Sequence, residues 1–305
     1  MKLPASIQVI ERGWLSSNNI VFRGAGATAL VDSGYVTHAP QTLAHLERAL
    51  EGAALDWLVN THCHSDHMGG NRAIQDRYAC RTSIPAGEAK LVEAWDEKQL
   101  MLGFADQRAE RFRIDDVFEA GAVLELGDID WQAIASPGHD ANAVMLYAPE
   151  ERILISADAL WENGFGVIFP QMFGRQTAFA ETRATLESIA RLEPRLVIPG
   201  HGRMFTEVGA ALERAFARLS SYEASIERLA RHCLKVLLVF ALLDKGSMPL
   251  AGLPAYVQSI GVYTDLNARY LRMTPQALAE FLVADLEKAG AAKRENGMLV
   301  PLIAA

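Results

Sequence analysis

A layered α/β fold is predicted by three features of this chain. Between Ile7 and Val197, short apolar runs alternate with stretches of helical periodicity, the rhythm of sheets flanked by helices. Pro137-Gly138, Pro149 and Pro199-Gly200 punctuate those runs as turns. Histidines and aspartates gather just past the ends of apolar runs, where a rigid sheet can hold polar side chains convergent.

The elements follow in order. Strands are expected at Ile7–Ile10, Asn19–Phe22, Ala27–Val31, Trp57–Asn60, Thr82–Ile84, Val123–Leu126, Ile129–Ala135, Ala143–Tyr147, Arg152–Ile155 and Arg195–Ile198. Each is short, apolar and rich in residues that suit a pleated surface. Helices are expected at Pro40–Leu50, Gly70–Arg77, Ala86–Gln99 and Ala178–Leu192. No internal repeat or low-complexity segment interrupts them. The chain divides near residue 210, where the character changes. Glu213–Leu243 reads as one or two long helices, Gly246-Ser247-Met248-Pro249 as a break, and Leu253–Ile260 and Leu266–Leu271 as short helices. Thr274-Pro275 supplies an N-cap and a first-turn proline to a helix reaching Ala289, with Gly290 closing it. Asn296-Gly297 then favours a tight hairpin turn in the tail Ala291–Pro301.

The chemistry concentrates in Thr61-His62-Cys63-His64-Ser65-Asp66-His67, which reads H-x-H-x-D-H. Imidazole and carboxylate are ligands for zinc, iron or manganese at neutral pH. Four such groups have no packing reason to crowd together, since each is costly to bury alone. Apolar Leu55–Val59 precedes them and Met68–Ile74 follows, so the motif spans a strand end, a turn and a helix start. In that turn His62 and His64 can face one point while Asp66 and His67 face another. Further candidates follow other strands: His139, Asp158 and His201. His38, His45 and His232 lie in helical or surface contexts and are not expected to be ligands. Cys63 alternates with His62 and His64 and is expected to point away from them.

With these segments in that order, the chain resembles the metallo-β-lactamase superfamily of metal-dependent hydrolases over about Val9 to Thr206. The resemblance implies a four-layered αββα sandwich. It also implies that His62, His64 and His139 hold one divalent metal, that Asp66, His67 and His201 hold a second, and that Asp158 bridges them. The pattern is nearer the glyoxalase II, lactonase and ribonuclease branches than the zinc β-lactamases, which commonly place a cysteine in the second site. Asp32, in Asp32-Ser33-Gly34, matches a strand-end D-[ST]-G of the family that orients a ligand loop; a plain turn aspartate is the competing reading. Two cations ~3.5–4 Å apart lower the pKa of a shared water towards ~7, so a bridging hydroxide is available for hydrolysis. Asp66 is placed to ligate and to accept a hydrogen bond from it. Zinc is the first choice of metal, with iron and manganese accepted by the same ligands. The three C-terminal helices and hairpin resemble a winged-helix module of the β-lactamase-like-protein-2 branch.

Bulk properties bound the function. The 305 residues, 50% of them hydrophobic, can bury one large core and a smaller one. Three cysteines, Cys63, Cys80 and Cys233, make no disulfide framework and point to a reducing cytoplasm. The start, Met1–Gln8, lacks a signal peptide's apolar core. Leu234–Leu243 is interrupted by Lys235 and falls far short of the ~20 residues a bilayer crossing takes. Residues 211–305 carry 11 Lys/Arg against 9 Asp/Glu, within a chain of net charge −8. The helix before the hairpin is acidic and apolar, so the module reads as a lid or homodimer element ahead of a nucleic-acid binder. Lys293-Arg294 is read as a solvated hairpin tip. Trp161–Pro170 is read equally as a pocket wall or loop packing. Trp95–Phe112 is read as core packing ahead of a cap.

The expected activity is hydrolysis of an ester-type bond in a small molecule, a thioester or lactone first. A phosphodiesterase or endoribonuclease on the same two metals is the first competitor. An iron-dependent persulfide dioxygenase is the second, and a non-enzymatic winged-helix regulator the third.

Overall fold

Alternation along the strands decides how the layers stack. In a computed structural model, which describes residues 2–303, six strands form one sheet in chain order: β1 (Ile7–Ile10), β2 (Asn19–Arg23), β3 (Thr28–Val31), β4 (Trp57–Val59), β5 (Arg81–Pro85) and β6 (Asp116–Phe118). The first three pair antiparallel, and β3 to β6 pair parallel. A second sheet holds β7 (Val123–Glu125), β8 (Asp130–Ala135), β9 (Val144–Ala148), β10 (Ile153–Ala157) and β11 (Leu196–Pro199). Its strands run antiparallel except for the parallel pair β10–β11.

Successive side chains on a strand point to opposite faces. Ile20, Phe22, Ala29 and Val31 of the first sheet therefore pack with Trp131, Leu146, Ile155 and Ile198 of the second. The intervening Val21, Leu30 and Leu58 pack with Leu46 of α1 (Ala39–Leu50) and with Ile74, which lies in a later helix. On the other side Met145, Leu154 and Val197 join the helices that follow. Helix, sheet, sheet and helix layers result. Both strand faces being covered explains why β9, β10 and β11 are buried throughout and read as unbroken apolar runs.

After α1 the helices are α2 (Ser65–Met68), α3 (Asn71–Tyr78), α4 (Ala86–Ala94), α5 (Phe169–Met172), α6 (Ala178–Leu192), α7 (Val208–Glu223) and α8 (Ile226–Lys245). Then come β12 (Met248–Pro249), α9 (Leu253–Ser259), α10 (Gly261–Leu266), α11 (Pro275–Lys288), β13 (Ala292–Glu295) and β14 (Met298–Pro301). The long apolar stretch predicted over Glu213–Leu243 is two helices, broken at Ala224-Ser225, where Ser225 is extended. The helix predicted to reach Gln99 stops at Ala94. Trp95 there takes a left-handed φ of 52°, and the Asp96 carboxylate accepts the backbone N–H groups of Lys98 and Gln99. An aspartate that bonds its own neighbourhood this way competes with helix continuation.

Three further differences lie in short segments. The expected break at Gly246–Pro249 contains β12, which pairs with β14. The short helix expected over Leu266–Leu271 begins at Gly261 as α10 and continues as a π-helical turn to Leu271. The strand β6 and the turns α2 and α5 have too few residues to show a period. The hairpin sits where Asn296-Gly297 places it, with both residues at positive φ.

One apolar cluster runs without a break from Met145 and Leu154 through α6, α7 and α8 to Leu278 of α11 and Leu299 of β14. Among the described residues no helix is long and apolar enough to cross a membrane, and Cys63, Cys80 and Cys233 are free and buried. Leu238 is fully buried in that cluster. Leu238→Ala is therefore expected to cost about 2–5 kcal/mol in urea unfolding. The shared core should make the sheets and the C-terminal helices unfold in one transition; two separate transitions by circular dichroism would contradict it.

Candidate metal centre

Strand polarity brings the polar loops together. Val31 and Val59 are partners in the parallel pair β3–β4, so Asp32 and the Asn60–His67 turn leave the sheet side by side. Ala157 and Pro199 are partners in β10–β11, so Asp158 and His201 leave the other sheet at one end. His139 lies in the connection between β8 and β9, whose last partners are Ala135 and Val144. The backbone N–H of Val144 donates to the Thr61 carbonyl at 3.0 Å, tying the two sheets at this edge. Asn18 adds a second tie, its side-chain amide donating to the carbonyls of Pro199 and Gly202.

Seven side chains meet here in two groups that could each hold a metal ion. One is His62, His64 and His139; the other is Asp66, His67, Asp158 and His201, and within each the ligand atoms lie inside 4.8 Å of one another. Nδ1 of His64 and Nε2 of His139 face each other at 2.8 Å. His201 Nε2 is 2.9 Å from Asp66 Oδ2. Asp158 stands between the groups: its Oδ1 is 3.5 Å from His67 Nε2, and its Oδ2 is 3.3 Å from His139 Nε2.

The donor set fits cations. Nε2 of His62 and Nε2 of His67 are buried without a hydrogen-bond partner, a costly state unless a ligand completes them. The outer nitrogens of His139 and His67 are already committed, whereas His201 Nδ1 is buried without a partner. His139 Nδ1–H donates to the Val167 carbonyl at 2.7 Å, which leaves Nε2 to face inward. His67 Nδ1 lies 2.8 Å from Asp32 Oδ2, and His64 Nε2 lies 3.7 Å from Asp140 Oδ2. Asp32 is itself held by the backbone N–H and the hydroxyl of Thr61. Such outer partners fix ring orientation at a metal. Close backbone approach completes the cradle, since a side chain at Gly200 would strike Asp158 and one at Gly166 would strike His139.

Electrostatics follow from burial. Burial holds His62 well below the usual imidazole range, and His67 and His64 add to it. Burial, then His139, lowers His64 to about 4. Both rings are neutral, the form that binds metal. Burial would lower His67 too, but Asp32, Asp66 and Asp158 outweigh it and carry His67 well above its ordinary value. Burial favours neutral Asp158, but His67, His201 and His139 outweigh it and hold the carboxyl well below its usual range. Cys63 packs away from the metal groups with Met68, Ile84 and Val92. Burial, then Glu88, pushes its thiol well above the normal range, so it is no nucleophile.

A cavity of about 510 Å³ opens onto both groups. Trp14, from the β1–β2 connection, lies parallel to the His201 ring at 5.6 Å and edge-on to Trp161 at 5.4 Å. Trp161, Val167 and Phe169 line the wall, while Phe165 and Ile168 of the same loop are core residues. The segment from Trp95 to Phe112 is also divided: Trp95, Leu102 and Phe112 pack inside, and Met101 and Gln107 face the cavity.

The sequence matches the description Metallo-beta-lactamase superfamily over residues 12–201. The chain belongs to that superfamily. It is 30% identical over 205 residues to the Beta-lactamase-like protein 2 homolog of Caenorhabditis elegans, covering 64% of this chain and 59% of that protein. A hydroxyacylglutathione hydrolase of Mesorhizobium japonicum is 30% identical over 145 residues, 48% of each. The chain thus spans about half to three-fifths of the length of these relatives. Its fold is similar to that of a metallo-beta-lactamase family protein from Thermus thermophilus, at a TM-score of 0.58 and 19% identity, covering 98% of this chain and 100% of that one.

Superfamily membership leaves the supporting residues of this chain to the structure. Asp140 behind His64, Trp14 over His201, and Arg218, His232 and Lys235 on the far cavity wall escaped sequence reasoning. One signal was present: Lys235 interrupts an otherwise apolar helical run. His232 faces the cavity without joining either metal group, and His38 contacts Ser16. Asp32→Asn should weaken metal binding at the Asp66–His67–His201 group about 10- to 100-fold. Chelator competition should show that loss, with the His62–His64–His139 group unchanged.

Proposed function

We propose that this chain is a metal-dependent hydrolase of ester-type bonds in small molecules, with thioesters and lactones preferred. His62, His64 and His139 would hold one divalent cation, Asp66, His67 and His201 would hold the other, and Asp158, beside both groups, would be available to each. Two cations bound there would supply Lewis-acid polarisation of a carbonyl oxygen and would bring the pKa of water towards ~7. Zinc suits the nitrogen and oxygen donors, and iron or manganese would be accepted.

The chain's own residues do the rest. Asp66 lines the cavity and sets one oxygen on His201, so its carboxylate can take the proton of an incoming water. Trp161 Nε1–H donates to Asp158 Oδ1 at 3.2 Å and keeps that carboxylate oriented. Trp14, Trp161 and Phe169 line the cavity with aromatic surface beside the site. The observation that carries the reading is the cavity itself. Its walls are mostly apolar apart from a charged far side, and it is large enough for a small acyl compound and floored by both ligand groups. Relatives named hydroxyacylglutathione hydrolases support an acyl substrate.

A polyanion such as RNA fits this surface less well. Lys293 pairs with Glu295, and Arg294 pairs with Glu280 and Glu287, so the hairpin tip is neutralised by its own neighbours. A panel of thioesters, lactones and single-stranded RNA should show turnover of the first two. Asp158→Ala should remove one metal equivalent and nearly all hydrolysis; full stoichiometry and rate in that variant would refute the shared role. Replacing Lys293 and Arg294 by alanine should leave small-substrate hydrolysis unchanged, and a large loss would mean that the hairpin reaches the cavity.

A further inference from the structure

The far wall of the cavity carries charge that no acid answers. Arg218 of α7 and Lys235 of α8 both line it and are half-buried. Among the described residues neither head group makes an ion pair or a side-chain hydrogen bond. The only carboxylates among the described residues of the cavity wall are Asp66 and Asp158, and both belong to the metal groups. His232 stands beside the two cations, its ring 5.8 Å from that of Tyr222. Burial, with Arg218 and Lys235 adding to it, lowers His232 to about 3, so the ring is neutral and able to hydrogen-bond without adding charge.

Two unpaired like charges on the wall of an apolar cavity oppose folding. Features of that kind mark places where a ligand completes the arrangement. Distance agrees. A side chain at Gly164 would strike the Arg218 guanidinium, and one at Gly166 would strike His139. Two residues of extended chain span at most about 7 Å. The guanidinium and the His139 ring are thus packed against neighbouring residues of one loop and line the same cavity of about 510 Å³, within which one molecule can lie against both.

We propose that Arg218 and Lys235 form an anion subsite that selects substrates with a carboxylate or phosphate group remote from the bond to be cleaved. An oxyanion would accept from the guanidinium and the ammonium, with the apolar part of the molecule lying along Trp14, Val167 and Phe240. The word substrate rests on the hydrolase reading above; the anion site does not.

The experiment therefore has two readouts. Binding of 4-phenylbutyrate and of phenyl phosphate to chelator-treated protein is measured by calorimetry, for the wild type and for Arg218→Met/Lys235→Met. Affinity for at least one probe should fall about 10- to 100-fold in the double variant, as loss of a charged hydrogen-bond donor implies. The stronger probe identifies carboxylate or phosphate as the natural head group. Equal binding by both proteins overturns the proposal, as does no binding to the wild type. With metal restored, kcat/KM is compared for an aryl thioester and its carboxylate-bearing twin. The double variant should lose rate on the charged twin alone, and Arg218→Lys/Lys235→Arg should recover part of it. An equal fall on both thioesters overturns the proposal. So does a lowered thermal midpoint, because removing unpaired like charges should not destabilise the fold. If the wild type cleaves neither thioester, the hydrolase reading fails while the calorimetry still decides the anion site.

Discussion

Six ionisable side chains are buried where the two sheets meet, with a seventh, His139, half-buried beside them, and the structure is arranged around making that tolerable. An isolated buried carboxylate or imidazolium is expensive. Here Asp66 and Asp158 stand among His67, His201 and His139, while His62 and His64 shed their charge altogether. The arrangement holds only if both sheets present their loop ends to one place. The parallel pairs β3–β4 and β10–β11 provide that, one in each sheet.

Rigidity then comes from residues one step further out. Asp32 takes two hydrogen bonds from Thr61 and passes that order to His67. Asn60 and Asn71 join side chains beneath the same turn, and Asn60 also donates to the His67 carbonyl. On the other sheet, the backbone N–H of Gly166 donates to the Asp158 carbonyl, while Val167 receives His139. The walls of the cavity have a different origin. The floor is built by loops from the sheets, whereas the far wall is built by α7 and α8, which pack on the outer face of the second sheet. The two are separated along the chain: the groups that could hold metal fall between His62 and His201, and the distal wall falls after Val208.

Much of this was legible beforehand. The strands were visible because both faces are covered and the runs are apolar; the ligand segments were visible because H-x-H-x-D-H and the strand-end His139, Asp158 and His201 have no packing purpose. Other features were hidden for specific reasons. Asp96 ends α4 early through a local turn that propensity does not register. β6 has only three residues, so no alternation can show. Asp140 looks like a loop aspartate until its proximity to His64 Nε2 is seen.

By itself, the sequence determined which side chains can bind metal and that they sit at strand ends, since residue type and apolar periodicity are local properties. The position of Asp158 between the two groups was implied by resemblance alone, and it took the folded chain to bring Asp32 onto His67 and to put Arg218 and Lys235 in the same cavity. Those are relations between residues far apart along the chain, set by sheet register and helix packing. No short stretch of chain carries that information.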